Sequence, residues 1–181
     1  MRVHLIRHFA PDVAPGVCYG SADLAVSDQV HDHMLPFALA ALPAAVPVYS
    51  SPLKRCLRLA RALAPEVRID PRLAELDFGA WELRPWSEIA RAEVDAWAAN
   101  VAHYRPGGGA DSVAAMALRV HAFYDDLLQA PHTECVLVCH AGTIRLFAAR
   151  QLGLAPSEMA RHAAAHAHAI GYGGVLTLDC V

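Results

Sequence analysis

The sequence predicts an α/β fold in three layers, with helices covering both faces of a mainly parallel β-sheet. Three observations lead there. Short apolar runs of strand length alternate with stretches whose apolar residues recur at helical spacing. The 181 residues, 55% of them hydrophobic, can bury one sizeable core, so residues 1–181 are read as a single domain. No internal repeat breaks the alternation, and alanine enrichment is the only compositional bias.

The first strand is Val3 to Ile6, ending at Arg7-His8, and residues 9–27 form a long loop interrupted by Pro11, Pro15, Gly16 and Gly20. Residues 28–42 carry Val30, Met34, Phe37, Ala38 and Ala41 at helical spacing, with Pro36 expected to bend or delay the helix. Val46 to Tyr49 is the second strand. Ser51-Pro52 then reads as an N-cap followed by proline at the first helical position, and Leu53, Cys56, Leu57, Ala60 and Leu63 follow on one face until Pro65. Val67 to Ile69 is a third strand, and helical stretches at 85–99 and 111–129 flank a loop at Arg105-Pro106-Gly107-Gly108-Gly109. Glu134 to Cys139 is the strongest strand, a helix runs from Gly142-Thr143 to about Gln151, Gly153 stops it, and Ile170 to Cys180 supplies late strand material.

Composition excludes several function classes. Fifteen Lys+Arg against 18 Asp+Glu give a net charge of -3, so no global basic field draws the chain to nucleic acid or anionic lipid, and any anion site must be local. Cys18, Cys56, Cys135, Cys139 and Cys180 are odd in number, scattered and without a CxxC pair, which argues against a disulfide framework or zinc knuckle and fits a reducing cytoplasm. The N-terminal apolar run is too short for a signal sequence, and no stretch of about 18 uncharged apolar residues offers a membrane span. His31-x-His33 and His162-x3-His166-x-His168 lack acidic or cysteine partners at ligand spacing, so no metal is assigned to them.

Two strands end in histidine, His8 and His140, and ligands of open α/β sheets bind outside the carboxyl ends of strands. Side by side, those strands would deliver both imidazoles to one rim; the alternative is that two of 11 histidines fall there by chance. Arg55 lies in a helix's first turn, where the macrodipole disfavours a cation by roughly 0.3–1 kcal/mol unless an anion binds there. That end already offers free N–H groups, and an arginine adds a bidentate fork. Glu75 sits among Leu76, Phe78 and Trp81, where an apolar setting would suit a proton donor. Asp77 reads as exposed loop, and Glu82 is open between the two.

Arg7-His8, Ser50-Ser51-Pro52-Leu53-Lys54-Arg55-Cys56, Glu75-Leu76-Asp77-Phe78-Gly79-Ala80-Trp81-Glu82 and Val138-Cys139-His140-Ala141-Gly142-Thr143-Ile144-Arg145 together resemble the histidine phosphatase superfamily, with its phosphoglycerate mutase-like fold. Pro15 to Asp23 and Gly79 to Glu82 look most like its α-ribazole phosphatase-type branch. The resemblance implies a phosphomonoesterase that needs neither metal nor cofactor, acting on a small phosphorylated metabolite such as α-ribazole 5′-phosphate. His8 would be the transiently phosphorylated nucleophile, Arg7, Arg55 and His140 would hold the phosphoryl oxygens, and Glu75 would protonate the leaving oxygen. Ala141, Tyr19 and Glu82 would add substrate contacts, and a neighbouring backbone carbonyl would fix the tautomer of His8. A small phosphorylated substrate is the expected partner, and a homodimer is left open. A mutase, a protein phosphohistidine phosphatase and a non-catalytic phosphate-binding module are the competing readings; the long insertions of cofactor-dependent mutases are missing.

Two residues depart from the family pattern: Phe9 where glycine usually follows the first Arg-His, and Leu83 where the branch often has glycine. Both are expected to place bulk beside the pocket. Ser112 is weighed as a phosphate contact against the N-cap of the helix that follows, which is preferred. Tyr19, Trp81, Trp86 and Trp97 read as packing or pocket wall, and Cys139 as a buried, inert thiol.

Overall fold

A computed structural model of the chain describes residues 1–108, 111–166 and 170–181. Gly109, in the glycine-rich loop, and His168, in the third histidine cluster, lie outside the described residues. Strands β1 (Arg2–Arg7), β2 (Val48–Ser50), β3 (Val67–Ile69), β4 (Glu134–Cys139) and β5 (Val175–Asp179) form one sheet in the order β3-β2-β4-β1-β5. The first four are mutually parallel, and β5 pairs antiparallel with β1 at the edge. The sheet is therefore mainly parallel, as the alternation of elements requires.

Side-chain alternation along the strands divides the core. Leu5 and Leu137 face one way, into a cluster with Val120, Phe123, Ile144, Phe147 and Met159 of the helices α4 (Val113–Leu128), α5 (Ala141–Gln151) and α6 (Pro156–Ala165). Ile6, Val136 and Val138 face the other way, against Ala38 of α1 (Asp28–Ala41) and Cys56, Leu59 and Ala60 of α2 (Lys54–Leu63). The five residues from Cys135 to Cys139 are all buried, which is why β4 reads as a continuous apolar run and not an alternating one. A smaller cluster of Cys18, Trp81 and Ile89 packs with Trp97 of α3 (Arg91–Ala99).

Several element boundaries differ from the sequence reading. α1 runs through Pro36 as one helix. α2 begins at Lys54 with Leu53 as its N-cap, so Ser51-Pro52 precedes the helix. Its first N–H is capped from a distance instead, the Lys54 amide donating to Asp23 Oδ1 at 2.7 Å. Residues 85–99 are not one helix: Trp86–Glu88 is a single 3₁₀ turn, because the Trp86 amide is tied to the Gly16 carbonyl, and α3 starts only at Arg91. α6 was not foreseen, although Pro156 at its start and Glu158, whose carboxylate accepts from the Ala155 amide, are helix-start signals. Ser112 is an N-cap, its hydroxyl accepting from the Ala115 amide.

Candidate active site

Strand register brings the two histidines together. β1 and β4 run parallel with Arg7 opposite Cys139, so the next residue of each, His8 and His140, leaves the sheet at the same carboxyl edge. The His8 amide donates to the Cys139 carbonyl at 3.0 Å, and the two imidazole centroids are 5.1 Å apart. β2 ends beside them, with Ser50 opposite Val138.

The tautomer of His8 follows from its partners. Nδ1 lies 2.7 Å from the carbonyl oxygen of Phe9, which can only accept, so Nδ1 carries the hydrogen and Nε2 keeps a lone pair. Arg55 Nε donates to that lone pair at 3.2 Å. Burial, with Arg55 and then Arg7 nearby, brings the imidazole pKa down to about 3, so His8 is neutral at physiological pH.

Arg55 is 1% exposed, and its terminal nitrogens donate to the carbonyls of Gly20 and Ala22. Glu82 shapes that loop, its carboxylate accepting from the amides of Gly20, Ser21, Ala22 and Phe78 and from the Ser21 hydroxyl. Glu82, expected as a substrate contact, is not among the residues lining the pocket around His8; its oxygens hold the loop that holds Arg55. Gly20 is required there, since a Cβ would overlap the Leu76 carbonyl oxygen.

Arg7 donates from one terminal nitrogen to the Ile170 carbonyl at 2.8 Å and stacks its guanidinium 4.0 Å from the ring centroid of Tyr172. Its Nε is buried with no hydrogen-bond partner among the described residues. Tyr172 reaches Tyr19 hydroxyl to hydroxyl at 2.6 Å, and the Tyr19 ring lies 5.5 Å from the Arg55 guanidinium. Tyr172 escaped the sequence reading; its signal is a lone aromatic in Gly171-Tyr172-Gly173-Gly174, where the Gly173 amide donates to the Arg7 carbonyl and the Arg7 amide to that of Gly174.

Glu75 is half-buried and held by backbone: its two carboxylate oxygens accept from the amides of Leu76 at 3.0 Å and Gly142 at 2.9 Å. A Cβ on Gly142 would overlap the carboxylate, so only glycine lets the N-terminus of α5 approach. The backbone under Glu75 is clamped by Arg119, which donates to the carbonyls of Arg72, Ala74 and Glu75, and by the Thr143 hydroxyl on the Leu73 carbonyl. Trp81, expected beside this carboxyl, packs instead in the α3 cluster with its indole N–H on Glu93. Arg119 was also missed, because it acts across 44 residues of sequence through backbone carbonyls that carry no residue-type signal.

Arg7, His8, Tyr19, Arg55, Glu75 and Ala141 line one pocket of about 200 Å³, together with Tyr172. His140 is fully buried and does not open onto it; its Nε2 lies 2.7 Å from the Ser51 hydroxyl, and burial, then Arg55 and His8, hold its pKa well below the ordinary histidine value. The resemblance implies that His140 holds a phosphoryl oxygen; here it lies beside His8, outside the lining of this pocket. Neither departure from the family pattern adds bulk to the pocket. The Phe9 ring is 1% exposed and packs in the α1–α2 core, and Leu83 points outward, 54% exposed, at a left-handed φ of 64°. Burial pushes the Cys139 thiol well above its ordinary value, as an inert cysteine requires. A larger hollow of about 820 Å³ lies at the amino ends of β2 and β3, walled by Val46, Val48, Leu63 and Val67, far from these groups. Among the described residues no group of three His, Cys, Asp or Glu could hold a metal ion, and no helix is long and apolar enough to cross a membrane.

The site therefore gathers a neutral imidazole whose Nε2 keeps its lone pair, two guanidiniums and a carboxylate. Comparison with known proteins agrees. The model of the histidine phosphatase superfamily (branch 1) matches residues 3–172. An Escherichia coli K12 adenosylcobalamin/alpha-ribazole phosphatase is 31% identical over 123 residues, 64% of this chain and 60% of that protein, so the match spans less than two thirds of that relative. The structure of a mycobacterial glucosyl-3-phosphoglycerate phosphatase superimposes with a TM-score of 0.80 at 25% identity, over 97% of this chain and 88% of its own. A protein from Thermus thermophilus gives 0.75 at 26% identity, over 99% and 94%. The three-layer fold is thus the phosphoglycerate mutase-like fold, and the resemblance to the α-ribazole phosphatase-type branch holds. With its family model covering nearly the whole chain and its imidazole-guanidinium pocket in place, the protein belongs to the histidine phosphatase superfamily.

Proposed function

We propose that this chain is a metal-independent phosphomonoesterase that hydrolyses a small phosphorylated metabolite through a phosphohistidine at His8. The observation that carries this reading is the orientation of His8: the Phe9 carbonyl fixes hydrogen on Nδ1, so the Nε2 lone pair faces the Arg55 guanidinium. Nε2 attacks phosphorus and the P–O ester bond breaks. Glu75, protonated for this step, passes its proton to the leaving oxygen, and the alcohol departs. Water then attacks the phosphohistidine, Glu75 takes up its proton, the P–N bond breaks and inorganic phosphate leaves with His8 restored.

Charge is neutralised by the protein's own cations. Phosphoryl transfer depends mainly on positioning and electrostatics, and Arg7 and Arg55 supply two forks. Arg55 must turn its Nε from His8 toward a phosphoryl oxygen, which frees the lone pair as substrate arrives. The Arg7 Nε, which has no partner among the described residues, gains an acceptor in the same event. His140 supports His8 from within the protein, and its bond to Ser51 would have to open before it touched phosphate. The relatives are an alpha-ribazole phosphatase and a glucosyl-3-phosphoglycerate phosphatase, and α-ribazole 5′-phosphate is the leading candidate here. The test is turnover of p-nitrophenyl phosphate in EDTA: hydrolysis that persists with chelator and disappears in His8→Ala is expected. Chelator-sensitive activity overturns the metal-free claim, and an active His8→Ala overturns the nucleophile. Transfer to added alcohols in preference to water would point to a mutase.

A further inference from the structure

We infer that the alcohol part of the substrate is a bulky, ring-bearing and largely apolar group, seated in a second cavity that opens from the phosphate pocket; this rests on the phosphatase reading above. The cavity is about 370 Å³, and Tyr19, Glu75, Phe78 and Ala141 belong to both hollows. An ester whose phosphorus sits at His8 would therefore direct its leaving oxygen past Glu75 and its remaining atoms into the second cavity. Beyond the junction the wall is Phe78, Trp97, Val101, Met116 and Leu146, with Arg145 its charged residue.

The shape of this wall is set before any ligand binds. Phe78 meets Trp97 edge to face at 5.8 Å, and Trp97 stacks on Trp86 at 6.1 Å with 15° between planes. Met116 is 1% exposed on α4 and Leu146 1% exposed on α5, so the floor belongs to the main core. A polyol leaving group would have to shed water from its hydroxyls against these rings, with Arg145 and, at the junction, Tyr19 and Glu75 as the polar side chains in return. An aromatic or fused-ring group would lose only apolar hydration, and burying one such ring in place of water favours the ester by a factor of roughly 10–100.

The test compares 2-phenylethyl phosphate with ethyl phosphate, primary alkyl esters of similar leaving-group chemistry. A kcat/KM ratio of roughly tenfold or more in favour of the phenyl ester is expected. Val101→Glu, which puts a carboxylate in the wall, or Ala164→Trp, which fills the cavity from its outer lip, should bring the ratio toward one; a loss common to both esters cancels in it. A ratio near one in the wild type, or 3-phosphoglycerate turned over faster than the phenyl ester, overturns the inference. Trp97 gives a second readout independent of turnover: 2-phenylethanol should change the intrinsic fluorescence saturably, and Trp97→Phe should remove that change. If no ester is hydrolysed, the phosphatase reading fails, and a saturable signal still supports the apolar cavity whereas its absence overturns it.

Discussion

Replacing Glu82 by glutamine tests whether this residue holds the Arg55 loop or touches substrate. The native carboxylate receives five donors, two on Oε2 from Gly20 and Ala22 and three on Oε1 from Ser21 and Phe78. Glutamine has one oxygen, so whichever way its amide is turned, at least two donors meet an NH₂ group. Leaving a partly buried donor unsatisfied costs about 1–3 kcal/mol, and relaxation of the loop reduces the sum to about 2–4 kcal/mol. For a domain of this size that lowers Tm by about 5–15 °C. The same loop carbonyls bind Arg55, whose misplacement by about 1 Å can cost 10²-fold in rate. Glu82→Gln should therefore lose both thermal stability, by calorimetry, and kcat/KM on every ester alike. An unchanged Tm with a loss confined to one substrate would refute the positioning role and restore direct contact.

Two further outcomes are expected. Because the native pKa of His8 is depressed from 6.5 to about 3, the unfolded chain binds a proton that the native one refuses. Stability is then full above pH 6.5 and falls as pH drops toward 3, by on the order of 4–5 kcal/mol from this group. Urea melts between pH 7 and 4 should show a shallower pH slope for His8→Asn than for wild type, and equal slopes would contradict a buried, neutral His8. Leu83→Gly relieves a left-handed backbone that costs an L residue about 1–2 kcal/mol, offset in part by glycine entropy. The variant should gain about 0.5–1 kcal/mol in urea with substrate preference intact, and an altered preference would put Leu83 back at the pocket.

What can be read in the sequence is what depends on local pattern. The β4 run, the two strand-ending histidines and the first-turn cation at Arg55 are visible because burial, strand termination and the helix dipole each act over a few residues. The placement of His8 beside His140 then follows from one fact the sequence suggests without fixing, that β1 and β4 are neighbours. The errors have the opposite origin. Ser51 has the residue type and position of an N-cap, yet its hydroxyl lies against His140 and the α2 cap comes from Asp23, 31 residues earlier. Phe9, as the neighbour of His8, is expected to face the pocket, but the chain turns and sends the ring into the α1–α2 core while the carbonyl meets the imidazole. Arg119 and Tyr172 act through backbone carbonyls and ring faces contributed by distant segments, and such partners leave no spacing to detect.

The proposed chemistry stands on a covalent phosphoryl group at one nitrogen. Rapid acid-free quench of the enzyme with ³²P-labelled ester, followed by peptide mapping, should find label on His8 that is stable to base, lost in acid and absent from His8→Ala. Steady turnover with no label on His8, or label on another side chain, would contradict it.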